Sequence, residues 1–137
     1  MQNITTIEEL KAIGEGEIVK LPNFDNGAEL IVRLRKPDVS MMIIDGTIPN
    51  PLIETALEMT ENGKAEIDIK NKETNKIDVE KTKKYYQAMK IIAKRCLISP
   101  TYDEIETYVG GLNTPQLISI FKFAVSEVKD LESFRTQ

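Results

Sequence analysis

The side chains with chemical potential in this chain are few. Asp103, Glu104 and Glu106 form the densest carboxylate group that an acid/base or magnesium centre would use. They fall in the first turn of a segment with helical character, where negative charge is favoured by the helix dipole, so a structural role explains them without catalysis. Cys96 is the single cysteine, and it shares an apolar stripe with Met89, Ile92 and Ala93, the company of a buried structural thiol. Gly14-Glu15-Gly16 is the one G-x-G; it lacks the third glycine of a dinucleotide fingerprint and follows a helix rather than a strand. The chain has no histidine. That removes the residue most used for proton transfer near neutral pH and the commonest zinc ligand, and with one thiol it leaves no means of building most hydrolase triads or transition-metal sites. No catalytic, cofactor-binding or metal-binding residues are assigned, and the reading is of a non-enzymatic protein.

The elements that would position these residues follow from periodicity and punctuation. Thr6 can cap a helix over Thr6–Ile13, with Glu8 and Glu9 at its positive end and Gly14 as its stop. Glu17–Leu21 reads as a strand halted by Pro22. After the turn-forming Asn23–Gly27, residues Glu29–Arg35 alternate Leu30, Val32 and Leu34 with polar neighbours, the period of a half-buried second strand. These two make a hairpin, which is marginal alone and must lean on helices. Pro37-Asp38 opens a helix to about Asp45, ended by Gly46. Pro51, capped by Asn50, opens another to Glu61 with Leu52, Ile53, Ala56, Leu57 and Met59 as its apolar face. Residues 62–77 are polar and lysine-rich, the candidate for a mobile loop, with Glu66–Lys70 as a short strand at most.

Tyr85, Met89, Ile92, Ala93 and Cys96 recur at three- and four-residue steps and predict a long central helix over Val79–Leu97, ended by Ser99-Pro100. Thr101 and Glu104 form a capping box for a helix over Tyr102–Val109, broken by Gly110-Gly111. Thr114 as cap and Pro115 as first-turn residue start the last helix by the same device as Asn50 and Pro51, and its stripe of Leu117, Phe121, Ala124, Val128 and Leu131 is widened by Ile118, Ile120 and Val125. The fold class is therefore mainly α, with one helical domain spanning residues 1–137: an N-terminal helix and β-hairpin at 5–35 and a helical body at 37–135.

At 137 residues, 41% apolar and 29% charged, the chain has the length of one domain and the composition of a soluble protein. No apolar run reaches the roughly 18 residues of a membrane span, and the first residues carry no secretory pattern, so no membrane partner and a cytoplasmic location are expected. The net charge is −4, with acidic ends and a basic middle between Lys64 and Arg95. That middle suits an acidic protein surface or a plain solvated face, not a general polyanion site. Tyr102–Val109 and the helix from Thr114 invite a helix-turn-helix comparison, but the second helix, Pro-Gln-Leu-Ile-Ser-Ile-Phe-Lys-Phe-Ala, offers one lysine and mostly apolar surface. A small DNA-binding regulator is the alternative function from another class, and nucleic acid is not the expected partner. Both sides of the short helix after Pro37 are apolar. Val39, Met42 and Ile43 form one stripe, Met41 and Ile44 the other, so one side is expected to stay open to a partner.

The run Val32-Arg33-Leu34-Arg35-Lys36-Pro37, a short helix, and then Gly46-Thr47-Ile48-Pro49-Asn50-Pro51-Leu52 resembles the tail assembly chaperones of siphophages of Gram-positive hosts. The later order is also similar: a long helix, the turn Ser99-Pro100-Thr101, a short acidic helix, the helix around Leu117–Phe123, and Leu131 with Phe134-Arg135. The similarity spans residues 29–135, and Thr6–Leu21 takes no role from it. It implies a chaperone that binds the phage tape measure protein and keeps it soluble during tail tube assembly. It also implies a longer, frameshifted form that would meet the major tail protein, action in the host cytoplasm and absence from the mature virion. A minor structural tail subunit is a third reading, and self-association stays open. Partner contact is expected at Met41, Ile44, Ile48, Pro49, Asn50, Pro51 and Leu52, with no cofactor.

Overall fold

The computed structural model describes residues 3–61 and 78–125. The expected loop at 62–77, including Glu66–Lys70, and the last-helix positions Val128 and Leu131 lie outside those residues.

Six helices and a small sheet are present among the described residues: α1 (Ile7–Glu15), β1 (Glu17–Leu21), β2 (Leu30–Leu34), α2 (Val39–Ile44), α3 (Asn50–Glu61), α4 (Val79–Cys96), β3 (Leu97–Ser99), α5 (Tyr102–Val109) and α6 (Thr114–Val125). The mainly α class holds. The caps explain most boundaries. Thr6 Oγ1 accepts from Glu9 N–H, Asp38 from Met41 N–H and Asp78 from Lys81 N–H, each satisfying a donor the helix leaves unpaired. At α5 the capping box is complete, with Glu104 N–H on Thr101 Oγ1 at 3.1 Å and Thr101 N–H on Glu104 Oε1 at 2.8 Å.

Four expectations need correction. First, α1 does not stop at Gly14 but runs to Glu15. Gly16 is the residue with positive φ (73°), and a side chain there would meet the Leu34 carbonyl and Ile98. Second, α2 starts at Val39, because Asp38 acts as its cap rather than its opening residue. Third, the long helix ends at Cys96, not Leu97. Leu97–Ser99 turn into a third strand before the cis Ser99–Pro100 bond, so the hairpin is two-thirds of a sheet. Fourth, α6 is capped by Asn113 and not Thr114. Asn113 Oδ1 accepts from Gln116 N–H, and Gln116 Oε1 accepts from Asn113 N–H, both at 2.9 Å.

The sheet is antiparallel in the order β1-β2-β3, with Val19 opposite Val32, Leu21 opposite Leu30 and Leu34 opposite Leu97. Alternation puts Leu21, Leu30, Val32 and Leu34 on the buried face and leaves Ile18, Lys20 and Ile31 outside. Against the inner face lies one core cluster, centred on Tyr85, Ala88, Met89, Ile92, Ala93 and Cys96 of α4. Removing a large side chain of this kind from water is worth about 1.5–3 kcal/mol. Helix α4 packs chiefly on α3 and α6, which makes it the centre of the molecule. The described part of the chain contains no helix long and apolar enough to cross a membrane.

Candidate partner-binding surface

The sequence Asp45-Gly46-Thr47-Ile48-Pro49 makes the elbow between α2 and α3. Gly46 adopts φ 82°, a left-handed conformation that glycine takes without strain. Asp45 then closes the turn on itself: its Oδ1 accepts from Thr47 N–H at 2.9 Å and from Thr47 Oγ1–H at 2.6 Å. These bonds, the hydroxyl first, hold the Asp45 carboxyl below its ordinary value, with a further contribution from the nearby Arg95 charge. Arg95, on α4, donates from Nη2 to Thr47 Oγ1 at 2.7 Å and lies 3.7 Å from Asp45 Oδ2. Ile48 N–H returns to the Met42 carbonyl at 3.0 Å, and Leu52 N–H bonds the Pro49 carbonyl at 2.9 Å. The elbow is thus braced from a different element, and α2 is held at a set angle although it is only six residues long.

The seven residues expected to meet a partner divide into three groups. Ile48 and Leu52 are buried in the core and are not available for contact; they anchor the elbow from beneath. Pro49, Asn50 and Pro51 are exposed at the start of α3. Met41 is 51% exposed and Ile44 75% exposed, three residues apart on the outer side of α2. On the other side of the same helix Met42 is fully buried, and Val39 and Ile43 pack partly against the core. One apolar stripe of α2 therefore faces the core and the second faces solvent, an arrangement usual at contact surfaces.

The side chains with chemical potential are each engaged in the fold. Glu104 belongs to the capping box, and the bonds from the Thr101 backbone and hydroxyl keep its carboxyl below the ordinary range. Asp103 lies 3.6 Å from Lys94, both largely exposed. Burial and a bond to Glu106 push the Tyr102 hydroxyl up to about 12. Burial pushes the Cys96 thiol up to about 12 as well, so little thiolate is present near neutral pH. Among the described residues no group of three His, Cys, Asp or Glu side chains is arranged so that it could hold a metal ion. The face of α6 carrying Gln116, Leu117, Ile120 and Phe121 is buried, leaving Lys122 as the basic residue on its exposed side.

The basic middle of the chain is described only in part, since Lys64–Lys76 lie outside the described residues. Along α4, a shallow cleft of about 320 Å³ is lined by Val79, Thr82, Lys83, Tyr86, Gln87 and Lys90. Lys81 is 3.8 Å from Glu58 of α3 and 5.7 Å from the ring of Tyr85.

No protein-family model matches the chain, and no curated protein or solved structure matches it. The surface rests on its own geometry. Sequence reading missed Arg95 as a member of it, because Arg95 and Thr47 are 48 positions apart and a basic residue in the last turn of a helix is already accounted for by the helix dipole.

Proposed function

We propose that the chain is a non-enzymatic tail assembly chaperone that binds an apolar helical segment of a phage tape measure protein and keeps it soluble while the tail tube is built. The observation that carries this reading is the outer stripe of α2. Met41 and Ile44 stand exposed on a short helix that the Arg95–Thr47–Asp45 brace holds fixed. A pre-set apolar ridge loses little conformational entropy on binding, and methionine adapts to partner helices of varied shape. The resemblance of Gly46–Leu52 to the elbow of siphophage chaperones supplies the partner's identity. A tape measure protein is long, apolar and helical, so weak helix contacts repeated over several copies would suffice through avidity.

Co-expression with a siphophage tape measure protein tests the proposal. The tape measure protein should become soluble and co-purify with the wild-type chain, and both effects should fall with Met41→Asp or Ile44→Asp. A tape measure protein that stays insoluble beside the wild-type chain removes the proposal. The alternative of a DNA-binding regulator predicts a duplex shift that weakens steeply with salt, and absence of any shift at low salt removes that alternative. Presence of the chain in purified virions would favour a structural tail subunit instead.

A further inference from the structure

The two edges of the sheet are finished differently. β3 is three residues long, its register with β2 shifts at Arg33/Leu34, and Pro100 follows it at once. Shortness, irregularity and proline are the usual means of keeping an edge from pairing with another chain. β1, the opposite edge, has none of them. Its five residues keep an unbroken register with β2 and include no proline. Lys20, which could repel an incoming strand, is drawn onto Glu29 at 3.1 Å. Among the described residues, the backbone of Glu17–Leu21 makes no hydrogen bond outside its pairing with β2.

The side chains show the same open edge. Val32 is 2% exposed, yet Val19, directly opposite it on β1, is only half-buried. On the solvent face of the sheet Ile18 is 66% exposed. A strand edge that offers alternate N–H and C=O groups accepts one kind of occupant, another extended strand. We propose that the occupant is β1 of a second copy of this chain, antiparallel about a two-fold axis at Val19, which joins two three-stranded sheets into one of six strands.

The sequence of β1 matches itself. With Val19 facing the partner's Val19, Ile18 lies opposite the partner's Lys20 and Glu17 opposite the partner's Leu21, so no like charges stand directly across from one another. Ile18 and the partner's Ile18 become diagonal neighbours at roughly 7–8 Å, within reach of long side chains. Lys20 and the partner's Lys20 are diagonal as well, each held by the Glu29 of its own chain. One contact of this kind closes two open edges, whereas a foreign strand closes one and brings another of its own. The paired strands bury less than the ~800 Å² per partner of a standard interface, so the dimer forms at high concentration and dissociates on dilution. This pairing does not depend on what α2 binds.

Sedimentation of the full-length chain over a range of concentrations reads the association. The wild type should pass from monomer to dimer towards millimolar concentration. Ile18→Lys, which sets lysines directly across from one another, should raise the dissociation constant at least tenfold with the helical circular dichroism unchanged. On mild oxidation Val19→Cys should form a disulfide between two chains, because opposite residues of paired strands lie about 4.5–5.5 Å apart. Ile31→Cys is the control: it is 55% exposed but sits on β2. Its counterpart would be three strand spacings of about 4.8 Å away, so it should not cross-link. The native Cys96 is buried and stays silent. A wild-type chain that remains monomeric leaves the edge to a foreign strand and overturns the proposal. So does a Val19→Cys chain that cross-links no faster than Ile31→Cys. A dimer that withstands Ile18→Lys overturns it too, and its loss in Leu10→Asp would then assign the contact to the exposed stripe of α1.

Discussion

The chain turns twice between short helices, and the two corners are held by opposite means. The α2–α3 elbow is braced at the surface by a guanidinium, a hydroxyl and a carboxylate, with Arg95 and Asp45 each about half exposed. The α5–α6 corner is held from within by neutral amides. Gln116 is fully buried, donates from Nε2 to the Pro22 carbonyl at 3.0 Å and accepts from Asn113 N–H, while Asn113 Nδ2 donates to the Asn23 carbonyl at 3.1 Å. The second corner is therefore pinned to the loop between β1 and β2, the first to the end of α4. The physics differs accordingly. Removing a buried amide strands its partners out of reach of water, whereas breaking an exposed ion pair returns both groups to solvent.

That contrast can be broken by substitution. The largest effect is expected under the elbow rather than in its brace: Met42→Ala opens a cavity in the core and should lower unfolding free energy by about 3 kcal/mol in urea titration. Gln116→Met keeps the volume of the other corner and removes two side-chain hydrogen bonds, leaving the Pro22 carbonyl and Asn113 N–H unpaired. A loss of about 2 kcal/mol is expected, insensitive to salt. Arg95→Ala should cost about 1 kcal/mol or less, and its effect should shrink further as ionic strength rises. Equal losses from Gln116→Met and Arg95→Ala would erase the distinction between the corners.

A pH titration sharpens it. The Asp45 carboxyl is held below its ordinary 3.8, so its contribution is complete above that value and is lost as pH falls through the lower folded value. The Thr47 amide resonance should follow this titration, and those of Asn113 and Gln116 should not. The smallest effect belongs to the exposed stripe. Met41→Asp and Ile44→Asp should change stability by no more than about 0.5 kcal/mol, so that lost partner binding in either variant reports on the surface itself.

Much of this arrangement was legible in the sequence where the physics is local. Caps, glycines and three- to four-residue periodicity placed the six helices within a few residues, and period-two alternation placed β1 and β2. The third strand was not legible. Leu97 continues the apolar rhythm of α4, and three residues carry too little pattern to announce a strand; Leu97 pairs only because Leu34 waits opposite it. Gly14 reads as a stop because glycine commonly ends helices, yet the backbone reversal falls two residues later, at Gly16. The division of the elbow was half visible. Two apolar stripes on α2 imply that one remains outside, and the apolar face of α3 already includes Leu52, but burial of Ile48, in the turn between the helices, depends on the surrounding core, which no local pattern encodes.

The central position of β2 has a consequence for how the chain comes together. Its pairing with β1 needs only the short Pro22–Glu29 connection, so the hairpin can form within microseconds. Its other edge must wait for Leu97–Ser99, from the far end of α4, to close a loop that encloses α2, α3 and α4. Non-local closure of this kind is the slow, entropically demanding part of a small fold. During synthesis at the ribosome, roughly sixty further residues are made while the open edge of β2 offers unpaired N–H and C=O groups to any passing strand. The third strand therefore acts as the latch of the fold, and the interval before it arrives is when the chain is most open to strand pairing with other chains.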